Sequence, residues 1–84
     1  MSEVQQGIEE RVKRIITEQF IVDGLEPPSI ASENRFDHDL GFDSLDCVEV
    51  TMCVEDEFDI YIDDTEMRGI ETVQKLIDTV RAKI

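Results

Sequence analysis

From Ser44 to Asp59 the apolar residues fall on two opposite faces of a helix, whereas a helix packed on a single core needs only one. At 100° per residue, Cys47, Val50, Val54 and Phe58 fall within about 80° of arc, which predicts a core-facing stripe. Leu45, Val48 and Met52 lie roughly opposite, among the carboxylates of Asp46, Glu49, Glu55, Asp56 and Asp59. Either another element covers this second stripe, or it stands exposed as an apolar patch with an acidic rim. The second alternative describes a docking surface for a partner with a basic face.

Two further segments carry helical periodicity. Val4, Ile8, Val12, Ile15, Ile16 and Phe20 recur at three and four, which predicts a helix over about Ser2 to Phe20. Ser2 with Gln5 reads as a capping box, and Gly7 weakens the first turn. Val73, Leu76, Ile77, Val80 and Ile84 predict a last helix from about Thr72, with Arg81 and Lys83 near the end, where cations suit the helix dipole. Between Ile60 and Gly69, Asp63 or Asp64 can cap a single turn that Gly69 ends. Residues 21–43 keep no helical period and contain Gly24, Pro27, Pro28 and Gly41. A connection this long in a small domain needs pinning, and Leu25, Ile30, Phe36 and Leu40 are the apolar side chains available. The expected architecture is all-α, a small helical bundle formed by one domain over residues 1–84.

The charge restricts the partners. With 8 basic and 21 acidic residues among 84, the net charge is −13, which excludes nucleic acid and anionic membrane surfaces. All 12 acidic residues from Asp37 to Glu66 occur without a Lys or Arg among them. Such one-signed clustering repels itself within the roughly 8 Å Debye length, and an interaction face explains it better than a mixed solubilising surface. No apolar run approaches the roughly 18 residues of a membrane span, and no basic segment precedes an apolar one at the N-terminus, so a cytoplasmic location is expected. Cys47 and Cys53, on one helix, would lie about 120° and about 9 Å apart, unsuited to a disulfide. They are expected to be reduced and to act as small buried apolar residues.

Enzyme chemistry finds little support. His38, Ser44 and nearby aspartates do not form a nucleophile elbow, and neither cysteine has metal-ligand spacing. Asp37, Asp39 and Asp43 suggest a calcium loop, but Phe42 stands where the turn needs Gly and Val48 where a bidentate Glu belongs. No catalytic residue and no metal site are expected. Ser44, at the junction of the long loop and the acidic helix, has two readings. Either it or Asp43 is the N-cap, or its hydroxyl carries a phosphate ester at the positive end of the helix dipole.

Asp39-Leu40-Gly41-Phe42-Asp43-Ser44-Leu45-Asp46 closely resembles the attachment motif of acyl carrier proteins. The resemblance extends to Ile8–Ile16, to Val48-Glu49 and Glu55–Asp59, and to Thr72-Val73-Gln74 with Ile77-Asp78. It implies a four-helix bundle with a short third helix. It also implies that Ser44 bears a 4′-phosphopantetheine arm, installed from coenzyme A by a phosphopantetheinyl transferase, and that acyl groups ride on the arm as thioesters. The resemblance assigns partner contact to Asp43, Leu45, Asp46, Val48, Glu49, Met52, Glu55 and Asp56. It places the acyl chain near Phe36, Val54, Phe58, Ile62, Ile70 and Leu76.

A free-standing monomeric carrier, itself without catalysis, is therefore expected. Its partners would be acyltransferases, ketosynthases and other acyl-processing enzymes with basic docking surfaces, in fatty acid, polyketide or related lipid biosynthesis. Peptidyl or aminoacyl carriage and an unmodified acidic adaptor are the alternatives. Phe42, Thr51, Asp63 and the long Pro27-Pro28 loop depart from the common pattern of the family and bear on which cargo is carried.

Overall fold

In the computed structural model, which describes the backbone of residues 3–84 and side chains from residue 7 onward, four helices follow one another: α1 (Glu3–Val22), α2 (Ser44–Phe58), α3 (Asp64–Arg68) and α4 (Val73–Lys83). Among the described residues the only β pairing is one isolated bridge, Arg35 to Thr72. The Ser2–Gln5 capping box and the Val4 side chain lie outside the described residues. Gly7 interrupts α1 with φ 59° and ψ −165°, a conformation open to glycine and strained for other residues. The helix ends at Val22, two residues beyond its expected end.

Val12, Ile15, Ile16 and Phe20 of α1 pack against Val50, Val54 and Phe58 of α2 and Val73, Leu76, Ile77 and Val80 of α4. This is the stripe that the spacing predicts, with three corrections. Ile84 is 63% exposed, beyond the last turn of α4, and Cys53 is exposed rather than a buried small residue. Leu25 is 58% exposed and does not pin the long loop. Cys47 is half-buried against the core, as expected of its stripe.

The long loop is held by other means. Phe36, Leu40 and Phe42 are buried, and Ile30 packs against the core. Its backbone is tied to the start of α4: Phe36 N donates to Glu71 O at 3.0 Å, Val73 N to Asn34 O at 3.0 Å and Gln74 N to Ser32 O at 2.8 Å. Asn34 adds a side-chain bond, accepting from Ala31 N at 2.8 Å. Such pairing ties down the second half of the loop, which lets so long a connection pack on a small core.

At the other end of α2, Asp59 closes the helix in the left-handed region at φ 55°. Asp63 caps α3 through a capping box: its carboxylate accepts from Glu66 N at 2.8 Å while its own N–H donates to Glu66 Oε1 at 3.1 Å. That reciprocal bonding accounts for an aspartate at this position.

Candidate functional site

The loop that ends at α2 sets the position of Ser44. Gly41, at φ 69°, turns the chain so that Phe42 points inward, and Phe42 N donates to Phe36 O at 2.8 Å. The Phe42 ring, 6% exposed, lies 5.0 Å from that of Phe20 and 6.1 Å from that of Phe36, centroid to centroid. With Phe42 buried, the next residues emerge at the surface as the first turn of α2.

Asp43 is the N-cap. Its carboxylate accepts from Asp46 N at 2.9 Å, and Asp46 returns the contact by accepting from Asp43 N at 3.3 Å. The two readings of Ser44 therefore separate. The capping duty falls to Asp43, and Ser44 is the first helical residue, exposed, with no side-chain hydrogen bond among the described residues. A free hydroxyl at a helix N-terminus fits a phosphate ester, since the first N–H groups and the dipole favour negative charge there.

The second stripe of α2 is uncovered at two of its three apolar positions. Leu45 and Met52 are 63% and 58% exposed, Asp56 is exposed, and Val48 and Glu49 are half-buried. Three of the acidic residues also hold the fold. Glu55 is half-buried and accepts from Ile62 N at 2.8 Å, pinning the chain after α2. Asp46 and Glu49 accept from the Gln19 side-chain amide at 3.2 and 2.6 Å, and Asp23 lies 3.5 Å from the same nitrogen. Gln19, only 5% exposed, thus joins the end of α1 to the acidic face of α2, a role its polar character does not announce in the sequence.

Around Gln19 the oxygens of Asp23, Asp46 and Glu49 approach within 4.8 Å of one another. Among the described residues this is the group with ligand-like spacing; Asp37, Asp39 and Asp43, whose pattern already fails as a calcium loop, are not such a group. A hydrogen bond with Asp46 raises the Asp23 pKa above the usual carboxylate value, reinforced by burial and by the Asp46 and Glu49 charges. For Asp46, burial acts to raise the pKa, but the bonds from Asp23, Asp43 and Gln19 outweigh it and the pKa is lowered. Burial raises the Cys47 thiol, with neighbouring carboxylates adding to the effect, so it stays protonated at neutral pH. His38 is exposed on the loop, 4.0 Å from Asp37.

Beneath α2 lies a small cavity with about 20 Å³ of room for a water-sized sphere, lined by Phe36, Cys47, Val50, Thr51, Met67, Ile70 and Leu76. Phe36, Ile70 and Leu76 are among the residues expected around an acyl chain. Val54, Phe58 and Ile62 are buried in the core but do not line this cavity. Cys47, Val50, Thr51 and Met67 are wall residues that the sequence reading does not place there; the i, i+3, i+7 spacing of Ser44, Cys47 and Thr51 is the signal that points to two of them.

Residues 10–80 match the family model of the phosphopantetheine attachment site. The solved structure of a protein provisionally assigned as an acyl carrier protein from Mycobacterium tuberculosis is similar to the chain, with a TM-score of 0.81 and 30% sequence identity. That likeness covers 90% of this chain and 97% of the other. The chain belongs to the acyl carrier protein family, and its cofactor is 4′-phosphopantetheine. It is a carrier with the four-helix fold of that family. No helix among the described residues is long and apolar enough to cross a membrane.

Proposed function

We propose that the chain carries acyl intermediates as thioesters on a phosphopantetheine arm esterified to Ser44, and delivers them to enzymes of fatty acid, polyketide or related lipid biosynthesis. The observation that carries this reading is the division of labour at the start of α2. Asp43 provides the cap and leaves the Ser44 hydroxyl exposed and uncommitted. A phosphopantetheinyl transferase would join that oxygen to the phosphate of the arm, with the nucleotide half of coenzyme A leaving and the hydroxyl proton passing to solvent. The arm then supplies a thiol on which cargo is held.

Partner contact is assigned to Asp43, Leu45, Asp46, Val48, Glu49, Met52, Glu55 and Asp56. Leu45 and Met52 offer apolar contact, while the carboxylates steer basic surfaces toward them. Weak, charge-steered docking suits a shuttle whose partners must bind quickly and release. Two free cysteines are consistent with work in the reducing cytoplasm.

The test is the intact mass before and after incubation with coenzyme A and a broad-specificity phosphopantetheinyl transferase. One phosphopantetheine added to the wild type and none to Ser44→Ala is the expected result. No addition to folded wild-type protein returns the acidic face to the role of a simple adaptor. Addition to Ser44→Ala removes Ser44 from the attachment role.

A further inference from the structure

The α2 side of the cavity carries heteroatoms at two positions, Cys47 and Thr51, whereas Phe36, Met67, Ile70 and Leu76 on the other sides have no strongly polar group. Ser44, Cys47 and Thr51 fall within about 60° of arc, so one face of α2 leads from the candidate attachment hydroxyl to the cavity wall, about 10 Å along the axis. Thr51 is 8% exposed, and its hydroxyl donates to the Cys47 carbonyl at 2.8 Å. That bond uses the only proton the hydroxyl has and leaves lone pairs on the oxygen. Among the described residues no N–H or O–H donates to it. Valine would fill nearly the same volume without a polar atom, so packing alone does not call for the oxygen. It is an acceptor on a residue that lines an otherwise largely apolar space.

The size of that space bears on the cargo. About 20 Å³ is room for roughly one water-sized group, so any acyl tail needs the bundle to open, a short one least and a long one much more.

Building on the reading of Ser44 as the bearer of the arm, we propose that this cavity favours short acyl groups bearing a hydroxyl, which donates to Thr51 Oγ1, over their keto counterparts. A hydroxyl brings the donor that the Thr51 oxygen lacks. A ketone brings only lone pairs and sets them against those already there. The protonated Cys47 thiol offers a weak S–H to either kind of oxygen and does not separate the two.

The test uses protein loaded at Ser44 with 3-hydroxybutyryl or acetoacetyl pantetheine, complete loading being verified by mass. Cleavage of each thioester by hydroxylamine is timed relative to the same thioester on free pantetheine, since a thioester drawn toward the bundle reacts more slowly. The hydroxybutyryl form should be protected about fivefold more than the acetoacetyl form, the factor that one neutral hydrogen bond supplies. Thr51→Val should bring the two to parity and Thr51→Ser should keep the preference, with circular dichroism reporting the fold of each variant. Equal protection of the two cargoes in the wild type overturns the proposal, as does an unchanged preference in folded Thr51→Val. Failure of Ser44 to accept either acyl pantetheine is a different result, because it overturns the carrier reading and this proposal with it.

Discussion

The rings of Phe42 and Phe20 meet at 5.0 Å and 44°, which fastens the residue two before Ser44 to the last turns of α1. Phe36 adds a stacked contact on Phe42 at 6.1 Å and 19°. A residue that interrupts an otherwise acidic and small-residue turn is therefore the anchor that fixes where α2 begins.

Phe42→Ala should cost about 3 kcal/mol, the lower end of what truncating a buried Phe removes. For a domain of this size that is a large part of a total stability on the order of 4–12 kcal/mol. Phe42→Leu keeps most of the volume and should lose about 1 kcal/mol. Urea unfolding followed by helical circular dichroism measures both, and a Phe42→Ala loss below about 1 kcal/mol contradicts the anchoring role.

Asp23 and Glu66 should respond to pH with opposite signs. The folded-state pKa of Asp23 is raised, chiefly through its hydrogen bond with Asp46, so its ionised form weakens the fold above that pKa and the penalty fades as pH falls through it. Asp23→Asn should accordingly raise the Tm at pH 7, with the gain shrinking in the acid range. The Glu66 pKa is lowered, first by the Lys83 hydrogen bond and then by the Asp63 backbone, so its contribution is present above the unfolded value and is lost as pH falls through the folded one. Glu66→Gln should lower the Tm at pH 7 and change it less at pH 3. Melting curves at three pH values decide both, and a Glu66→Gln loss that grows on acidification contradicts the assignment.

The crowding of carboxylates from Asp37 to Glu66 predicts a salt response. Raising NaCl from about 10 mM to about 200 mM should screen the repulsion and raise the Tm by about 5 °C, equivalent to roughly 1 kcal/mol in a domain this small. Calorimetry across that range is sufficient, and a Tm that stays flat or falls shows that the clustered charge does not strain the fold.

Periodicity made α1, α2 and α4 legible because each presents an apolar stripe to one core, and Val50, Val54, Phe58, Leu76 and Val80 lie where spacing alone puts them; the short α3 shows only through its caps. The two apolar faces of α2 were equally readable, though whether Leu45 and Met52 stand exposed depended on where α1 and α3 pack, which no local pattern encodes. Phe42 was not legible as core because its burial comes from a turn at Gly41 and from Phe20, more than twenty residues earlier. Gln19 was missed for a related reason: a buried amide at a helix end shows its purpose only once Asp46 and Glu49 of another helix come within reach. Leu25 misled in the other direction. The backbone bonds from the loop to the start of α4 hold it without that side chain.

Asp43 has two duties that one pair of variants can separate. As the N-cap it accepts from Asp46 N at 2.9 Å, and as an exposed carboxylate beside Ser44 it is among the groups proposed to meet a basic partner. Asparagine caps about as well as aspartate but carries no charge, whereas alanine does neither. Asp43→Ala should lower stability by about 1 kcal/mol, and Asp43→Asn should leave it nearly unchanged. Both should raise the KM of the phosphopantetheinyl transferase for the carrier, and the increase should diminish as salt is added, because the interaction lost is a screened one. If Asp43→Asn binds the transferase as the wild type does at low salt, the carboxylate serves the helix alone, and the partner face begins at Leu45.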